Sequence, residues 1–420
     1  MPLPRTDDPT PPWRDQPDHQ AWLRAEAERQ VRFFRPSLRR GGAFAVLDHD
    51  GNPLPGQVQE LHTTTRLVHS YALAAAAGMP GTDDMIEAGM ARLWSHHRDA
   101  RHGGYVWSTE GDGVGDGTKL AYGHVFVLLA GASAKSAGHP DADRLIADVT
   151  EIIDRHFWDE PRGLLRDEYT RDWQPFSTYR GMNANMHGIE ALLTAFEATG
   201  ERQHLDRAGR ILDFFVGQVA PAHGWHIPEH YDENWRVDRA YRGNPMFRPP
   251  GTTPGHSFEL GRLALQHWDL TGRTDPEAPD RARTLIETAL AAAWLPQGGF
   301  AYTLGDDRRP LIADRYWWPV SEAIGAVSAL QKLGDVSRAE ENDEGLDADE
   351  AWYRRLWTFA DAHLIDRARG GWFPELDDRG RPTSRQFTGK PDIYHSLQAA
   401  LLPQVPGISR LAAELRNGAR

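Results

Sequence analysis

The sequence predicts an all-α protein, an (α/α)6 barrel in which six outer helices surround six inner helices. The first observation is a glycine closely followed by a large apolar residue, which recurs roughly every 60 to 75 residues. The second is that each interval holds one helical stretch poor in Lys and Arg and one charged amphipathic stretch. Such repeated helix pairs predict a ring of paired helices. The repeat marks are Gly42, Gly104, Gly163, Gly224, Gly299 and Gly371.

The two helix types alternate along the chain. Outer helices are predicted over residues 18–34, 83–97, 142–157, 281–295 and 349–365. Inner helices are predicted to stop at a helix breaker, because glycine commonly caps a helix C-terminus and proline cannot continue one. An open superhelical stack of helix pairs would show the same periodicity. The predicted stops are Gly78, Gly138, Gly200, Gly272, Gly334 and Pro403.

The repeat also predicts the domain organisation. Its units follow one another along most of the 420 residues, so we expect a single barrel domain over residues 1–420. The proline-rich N-terminus, about residues 1–15, is expected to be flexible. The acidic segment of about residues 339–350 is expected to be a solvated loop within one repeat.

The composition excludes several classes of function. The chain has no cysteine, which excludes disulfides, thiolate metal sites and a cysteine nucleophile, and favours a reducing cytoplasm. A formal net charge of -13 disfavours nucleic-acid binding, which needs clustered Lys and Arg. No apolar run reaches the roughly 18 residues of a membrane span, and the N-terminus is unlike a signal peptide. We therefore expect a cytoplasmic monomer or homodimer that binds a small molecule, not nucleic acid or a membrane.

A polar stripe on the third inner helix indicates a cavity. Residues 189–196 place four apolar side chains on one face at helical spacing. The opposite face is polar but lacks Lys and Arg, unlike a solvent-exposed face. We predict that this face lines an enclosed polar cavity; a structural histidine on a packed helix is the alternative interpretation. The polar residues are Asn183, His187, Glu190 and Thr194.

Two further inner segments contain histidine. His256 and Glu259 lie three residues apart on one side of a helix that begins near Gly255. The carboxylate is expected to orient the imidazole or to share its proton, and a capping role at the helix start is the alternative. His395 lies in the sixth inner helix, shortly after Asp392.

An arginine and an aromatic motif complete the candidate set. Arg66 interrupts an otherwise uncharged, alanine-rich inner helix, and a buried arginine needs a carboxylate partner or a ligand oxygen. The motif RYWWPVSEAIGAV adds Trp317, Trp318 and Glu322. A closed ring would bring these side chains to one central pit. Neutral imidazoles suit proton transfer at neutral pH, and aromatic walls suit a polyhydroxylated ligand.

Two rival interpretations use the same segments. One loop offers nitrogen and oxygen ligands for a metal in His223, His226, Glu229 and His230, but it lacks a helical HExxH frame, so no metal is expected. A glycoside hydrolase on this fold would instead use two carboxylates. The excess of histidine over carboxylate in the inner segments argues against it. Its candidate carboxylates are Glu229, Glu259 and Glu322.

Four motifs occur in order along the chain: RGMNANMH, RPPGTTPGHSFE, YWWPVSEA and GKPDIYHSLQAAL. Together they resemble the N-acylglucosamine 2-epimerase superfamily, most closely its bacterial branch of aldose–ketose isomerases. The resemblance runs from about residue 66 to residue 403. It implies an (α/α)6 barrel, in agreement with the repeats.

The resemblance also implies site residues. In the family, the histidines of the NMH and PGH motifs, the glutamate three residues after the latter and a histidine in the last inner helix surround the open-chain sugar. Other side chains bind its hydroxyls. The implied catalytic residues are His187, His256, Glu259 and His395. The implied substrate-binding residues are Arg66, Tyr122, Asn183, Arg248 and Trp318, to which the aromatic motif adds Glu322.

The implied reaction is the interconversion of D-mannose and D-fructose, with D-lyxose and D-xylulose as the second expected pair. His256 with Glu259 would assist ring opening, and His395 would remove the C2 proton to form a cis-enediol. Proton return to C1 gives the ketose, and return to the opposite face of C2 gives the epimeric aldose. A sugar 2-epimerase, of mannose/glucose or N-acylglucosamine type, and a sulfoquinovose isomerase therefore stay open as alternatives. The resemblance implies no cofactor.

Overall fold

The computed structural model describes residues 3, 11–56, 58–243, 247–337 and 345–419, and these residues are mostly helical. None of the helices in these ranges is long and apolar enough to cross a membrane. The α-helices are α1 (Pro17–Phe34), α2 (Leu61–Ala76), α3 (Asp83–Arg92), α4 (Ala121–Ser136), α5 (Ala142–Ile152), α6 (Met182–Thr199), α7 (Arg202–Leu212), α8 (Ala220–Ala222), α9 (Pro254–Leu270), α10 (Ala278–Ala293), α11 (Trp317–Ser337), α12 (Gly345–Phe359), α13 (Tyr394–Leu401) and α14 (Leu411–Gly418).

Short β-strands connect the helices in the described residues. They pair only as antiparallel ribbons of two or three strands. The strands are β1 (Val58–Glu60), β2 (Ser108–Glu110), β3 (Gly113–Val114), β4 (Lys119–Leu120), β5 (Trp158–Asp159), β6 (Leu164–Leu165), β7 (Glu168–Tyr169), β8 (Arg180–Gly181), β9 (His230–Tyr231), β10 (Thr303–Leu304), β11 (Pro310–Ile312), β12 (Arg315–Tyr316) and β13 (Glu375–Leu376).

Inner and outer helices differ in burial as the sequence predicted. Helix α4, AYGHVFVLLAGASAKS, is buried around nearly its whole circumference. Helix α5 buries only Ala142, Leu145, Ile146 and Val149, which recur at the three- and four-residue spacing of one helical face. The apolar face of each outer helix therefore packs on an inner helix.

Each inner helix contacts the next one along the chain. The order of contacts is α2, α4, α6, α9, α11 and α13, and α13 in turn contacts α2. The outer helices pack against these six, with α3 on α2, α5 on α4, α7 on α6, α10 on α9, α12 on α11 and α1 on α13. The predicted alternation of two helix types is confirmed, including an outer helix over residues 18–34.

The repeat marks are tight turns that follow the outer helices. Glycines in these turns adopt positive φ, for example 74° at Gly103 and 77° at Gly299, where other residues are strained. The predicted helix stops Gly78, Gly138, Gly200 and Gly272 also have positive φ, between 74° and 85°. Gly334 is the exception, because α11 continues through it to Ser337. Packing of α11 against α9, α12 and α13 overrides the local helix-breaking tendency of glycine.

The predicted flexible N-terminus and the predicted acidic loop each include residues that are helical. Residues 1–2, 4–10 and 338–344 lie outside the described residues, but Trp13–Asp15 forms a turn of 3-10 helix with a buried indole. Helix α12 begins at Gly345, so the C-terminal part of the predicted loop over residues 339–350 is helical. The reason is that Asp349 and Glu350 are buried and paired, Asp349 with Arg283 at 3.1 Å.

Four inner helices begin directly after a strand. Strand β1 leads into α2, β4 into α4, β8 into α6 and β12 into α11. The ribbons and the N-terminal ends of the inner helices therefore share one end of the helical assembly. This end contains the candidate site.

Candidate active site

A cavity of about 490 Å³ opens at the N-terminal ends of the inner helices. The first two turns of six helices contribute to its walls, and each of these helices presents one to three polar or aromatic side chains there. Most of the residues selected from the sequence meet in this cavity. Its lining includes His62, Arg66, Tyr122, Asn183, His187, His256, Glu259, Trp317, Trp318, Asp392 and His395.

His256 is paired with a glutamate from a loop. Its Nδ1 lies 2.9 Å from Oε1 of Glu229, and the same oxygen accepts the backbone N–H of Thr253 at 3.2 Å. Because a carboxylate only accepts, we place a proton on Nδ1 and leave Nε2 as a free base. The prediction that Glu259 is the partner of His256 was wrong. A spacing of three residues places two residues on one helix face, but it does not bring their side chains into contact.

His395 is paired with a glutamate from a neighbouring helix. Its Nδ1 lies 2.7 Å from Oε1 of Glu322, whose other oxygen accepts from Arg262 at 3.0 Å. Glu322 is 3% exposed and does not line the cavity. It therefore lies behind His395, and the expectation that it contacts the sugar is replaced by contact with the imidazole.

One indole lies close to both histidine–carboxylate pairs. The ring centroid of Trp318 is 5.2 Å from that of His256 and 5.7 Å from that of His395. Gly255 makes room for the indole, because a Cβ at this position would lie 2.3 Å from Cζ3 of Trp318. The PGH glycine therefore allows both imidazoles to approach one aromatic wall.

His187 belongs to a separate cluster on α6 and α9. Its Nδ1 is 3.4 Å from both Glu190 and Glu259. Burial lowers the pKa of His187 to about 4, so the imidazole is neutral at neutral pH. Tyr394 donates its hydroxyl proton to Glu190, which ties this cluster to α13.

Arg66 has the carboxylate partner that its burial required. Its guanidinium lies 2.8 Å from Asp392 and donates to the Tyr122 hydroxyl at 2.9 Å. The rings of Phe126 and Tyr394 lie 4.9 Å and 4.7 Å from the guanidinium carbon. These contacts fix the guanidinium while its Nε is left without a partner.

Several buried polar atoms of the cavity have no hydrogen-bond partner in the described part of the chain. They are both carboxyl oxygens of Glu259, Oδ1 of Asn183, Nε of Arg66 and Nδ1 of His62. Burial and the charges of Glu322 and Glu190 raise the pKa of Glu259 well above its usual value. Unpaired buried polar groups are costly, so these atoms indicate a ligand rich in hydroxyl groups.

Arg248 is placed away from the cavity lining. Its guanidinium is 2.7 Å from Glu168 and lies over the ring of Tyr179, with 4.0 Å to the centroid. Among the described residues it is therefore engaged by a carboxylate and an aromatic ring. The sequence expectation of a sugar contact was based on a motif whose preceding loop varies in length.

The metal interpretation of the loop over residues 223–230 is not supported by its geometry. Glu229 bonds His256, and His230 is held between the Tyr179 hydroxyl and the Pro249 carbonyl. A different group has ligand atoms within 4.8 Å of one another, namely His187, Glu190 and Glu259. In that group, Nδ1 of His187 lies 3.4 Å from each of the two glutamates, and Glu190 also accepts the Tyr394 hydroxyl.

Sequence reasoning missed three residues that complete the site, His62, Arg262 and Tyr394, and one pairing, that of Glu229 with His256. Two of them had a detectable signal: His62 lies four residues before Arg66, and Arg262 lies three residues after Glu259, each on the same helix face as a selected residue. The pairing of Glu229 with His256 spans 27 residues, and Tyr394 reaches Glu190 on another helix. No local pattern predicts those two contacts.

These features define a class of helical protein in which histidines paired with carboxylates surround one cavity. Comparison of the chain with known proteins agrees with this class. The family model for N-acylglucosamine 2-epimerase (GlcNAc 2-epimerase) matches residues 42–399. The chain therefore belongs to this family, as its motifs indicated.

The similar proteins span almost the whole chain. D-mannose isomerase of Thermobifida fusca is 38% identical over 96% of this chain and 98% of its own length. D-mannose isomerase of Pseudomonas cannabina pv. alisalensis is 37% identical over 96% of this chain and 97% of its own length. A crystal structure of D-mannose isomerase superposes with a TM-score of 0.83 and 29% identity, covering 91% of this chain and 97% of that one.

Proposed function

We propose that this protein is an aldose–ketose isomerase that interconverts D-mannose and D-fructose by proton transfer. The observation that carries the proposal is the pair of carboxylate-backed imidazoles, His256 and His395, which both lie close to Trp318 at one cavity. Nearly full-length relatives named D-mannose isomerase support the choice of substrate.

Ring opening is the first step that the site must assist. Burial and nearby carboxylates raise the pKa of Glu259 well above its usual value, which favours the protonated form of its carboxyl group, and its oxygens have no hydrogen-bond partner among the described residues. We assign to Glu259 and His256 the exchange of protons with the ring oxygen and the anomeric hydroxyl. The open-chain aldehyde then has an acidic proton at C2, because the neighbouring carbonyl accepts the electron pair.

Proton transfer between C2 and C1 follows. We assign C2 deprotonation to Nε2 of His395, whose Nδ1 proton is held by Glu322. The C2–H bond breaks, the electron pair forms the C1–C2 double bond, and O1 takes a proton to give the cis-enediol. Loss of the O2 proton and protonation of C1 then give the ketose. Arg66, Tyr122, Asn183 and Trp318 are the proposed substrate-binding residues, and neutral His187 is assigned to proton exchange with a sugar oxygen.

The charges of the site favour an uncharged sugar. Within the described residues, both arginines that the sequence proposed as sugar ligands are engaged: Arg66 pairs with Asp392 and Arg248 with Glu168. A sulfonate or phosphate at C6 would need a cation free to pair with it. This observation favours mannose, and lyxose as a shorter analogue, over sulfoquinovose.

A sugar 2-epimerase is the second candidate function. Two imidazoles on different inner helices, α9 and α13, could return the proton to the opposite face of C2, which would give the epimeric aldose. Membership of the 2-epimerase family supports an epimerase as well as it supports an isomerase. The product, rather than the residue set, distinguishes the two reactions.

We further infer that the six inner helices close into an (α/α)6 barrel that forms a single domain. The contact between α13 and α2, the last and first inner helices, supports closure over an open stack. We propose that this barrel acts as a monomer or homodimer in the cytoplasm, without a metal or another cofactor.

A sugar panel with product identification tests the proposed function. The purified protein is incubated with D-mannose, D-lyxose, D-glucose, N-acetylglucosamine and sulfoquinovose, and the products are identified by NMR. We expect fructose from mannose and xylulose from lyxose. Glucose as the main product of mannose would establish the epimerase instead, and no conversion of any sugar would refute both.

A further inference from the structure

Arg262 is a buried cation that neither the motifs nor the mechanism above includes. It lies on α9 in register with His256 and Glu259, at intervals of three residues. Its side chain is 3% exposed, and it does not line the cavity. A guanidinium that is withdrawn from both solvent and ligand must be compensated by protein groups.

The guanidinium is linked to His395 through one carboxyl group. Arg262 donates to Oε2 of Glu322 at 3.0 Å, and Oε1 of the same group accepts from Nδ1 of His395 at 2.7 Å. Three helices, α9, α11 and α13, are therefore connected in a chain of two charge-assisted hydrogen bonds. The titratable groups that face this chain from the packed helices are Glu259, Glu190, His187, His69, Tyr394 and Asp392.

One cation is shared by several carboxyl groups in this buried region. Burial would raise the pKa of Glu322, but the charge of Arg262 and the hydrogen bond to His395 together lower it. The pKa of Glu259 is raised by burial and by the nearby Glu322 and Glu190. Arg262 bonds Glu322 directly, which favours the ionised form of the carboxyl group behind His395, whereas the pKa of Glu259 is shifted in the opposite direction.

In the part of the chain that the structure describes, no arginine or lysine bonds the carboxylate of the other histidine pair. Glu229 accepts a backbone N–H from Thr253 in addition to Nδ1 of His256. A backbone donor cannot be lost by substitution or by titration. Only the His395 pair therefore depends on a side-chain charge for its geometry.

We propose that Arg262 is a positioning residue for proton transfer, which acts through Glu322 to hold the Nδ1 proton of His395 and so directs Nε2 to the substrate. The proposal rests on the proposed function for its kinetic consequences. Its geometric content, the tautomer and orientation of His395, is independent of which sugar is converted.

The kinetic test removes the charge and then restores it. For Arg262→Met we expect kcat on mannose to fall about tenfold to hundredfold, the usual effect of losing a charge-assisted hydrogen bond, with a smaller change in KM. The acid limb of the pH–kcat profile should move to higher pH, because Glu322 without its cation ionises only at higher pH. Arg262→Lys should restore part of kcat and return the acid limb toward its original position.

A double-variant cycle isolates the action through Glu322. Glu322→Gln should lower kcat strongly in the parent protein and only slightly in the Arg262→Met background, because the link is already broken. The matched control is Arg207→Met, which removes another buried arginine, the partner of Asp154 on the outer wall. It should reduce stability without moving the pH profile.

A spectroscopic test does not require activity. The imidazole 15N chemical shifts of His395 are assigned by comparison with His395→Asn. They should report the Nδ1–H tautomer in the parent protein and a mixture of tautomers in Arg262→Met. If Arg262→Met does not fold, Arg262→Lys should show a partial change. An unchanged tautomer together with an unmoved acid limb would overturn the proposal. Failure of the parent to convert any sugar would refute the proposed function but leave this spectroscopic test intact.

Discussion

Two buried histidines near the N-terminal ends of inner helices differ in what their nitrogens contact. His124 on α4 donates Nδ1–H to the Leu120 carbonyl at 2.7 Å and accepts the Tyr105 N–H on Nε2 at 3.0 Å. His395 on α13 uses Nδ1 for Glu322, and its ring lines the cavity. Both nitrogens of His124 therefore form hydrogen bonds with the backbone, whereas Nε2 of His395 has no hydrogen-bond partner among the described residues.

This difference in contacts distinguishes a structural histidine, His124, from a histidine that is available for chemistry, His395. Burial lowers the pKa of His124 to about 3, so this imidazole stays neutral and its ring only packs and bonds. A carboxylate bonded to the imidazole can stabilise the cation that forms when the ring accepts a proton during catalysis. A carboxylate on one nitrogen and a cavity at the other thus distinguish His256 and His395 from His124.

Removal of either cavity imidazole should have the largest effect. We expect His256→Asn and His395→Asn each to lower turnover of mannose by at least about a hundredfold, because each removes a positioned acid–base group. Circular dichroism should show that both variants stay folded. His124→Asn is the control and should retain turnover close to that of the parent. Comparable activity losses in all three variants would contradict the distinction between the two cavity histidines and the structural His124.

Neutralising the supporting carboxylates should have a smaller effect. Glu229→Gln and Glu322→Gln keep the shape of each side chain but weaken the bond to Nδ1. We expect kcat to fall about tenfold to hundredfold in each, with little change in KM, because an ionic hydrogen bond contributes about 1.5–3 kcal/mol. Steady-state kinetics checks this prediction.

Glu259→Gln, in contrast, should also impair ring opening. Its loss of turnover should therefore diminish with substrate supplied as the open-chain form.

The structural histidine should affect the pH dependence of stability. The folded pKa of His124, about 3, lies below the ordinary value of 6.5, so the unfolded chain binds a proton first as the pH falls. This contribution to stability is present above pH 6.5 and is lost as the pH falls toward 3. It amounts to about 1.4 kcal/mol per pH unit within that window.

Urea unfolding between pH 7 and pH 5 measures this contribution. His124→Asn should unfold more easily at pH 7, because two buried hydrogen bonds are weakened, but its stability should decline less steeply with falling pH. An identical slope in the variant would show that His124 does not stay neutral in the folded protein.

The parts of the fold that recur were predictable from sequence. Alternation of uncharged and amphipathic helices follows from residue burial, and turn glycines such as Gly200 mark helix ends because their φ is positive. Gly334 was misjudged because a glycine inside a long packed helix looks the same in sequence. Tertiary packing, which the local pattern does not contain, decided that case.

The site was predictable as a set of residues but not as a set of pairs. His187, His256, His395 and Arg66 share the cavity because each occupies the first turns of an inner helix. Their partners come from other segments: Glu229 from a loop and Glu322 from α11. Such long-range pairing depends on how helices sit beside one another, so local spacing led to Glu259 as the partner of His256 instead.

The central claim is that histidine bases, rather than a metal-assisted hydride shift, carry the C2 hydrogen. A hydride shift needs a divalent cation on two sugar oxygens and moves the hydrogen to C1 without exchange with water. A proton on an imidazole can exchange. The most direct measurement is therefore NMR of the fructose formed from mannose in heavy water by protein treated exhaustively with EDTA. We predict full activity and deuterium at C1. Loss of activity that a divalent cation restores, together with no deuterium in the product, would contradict the account.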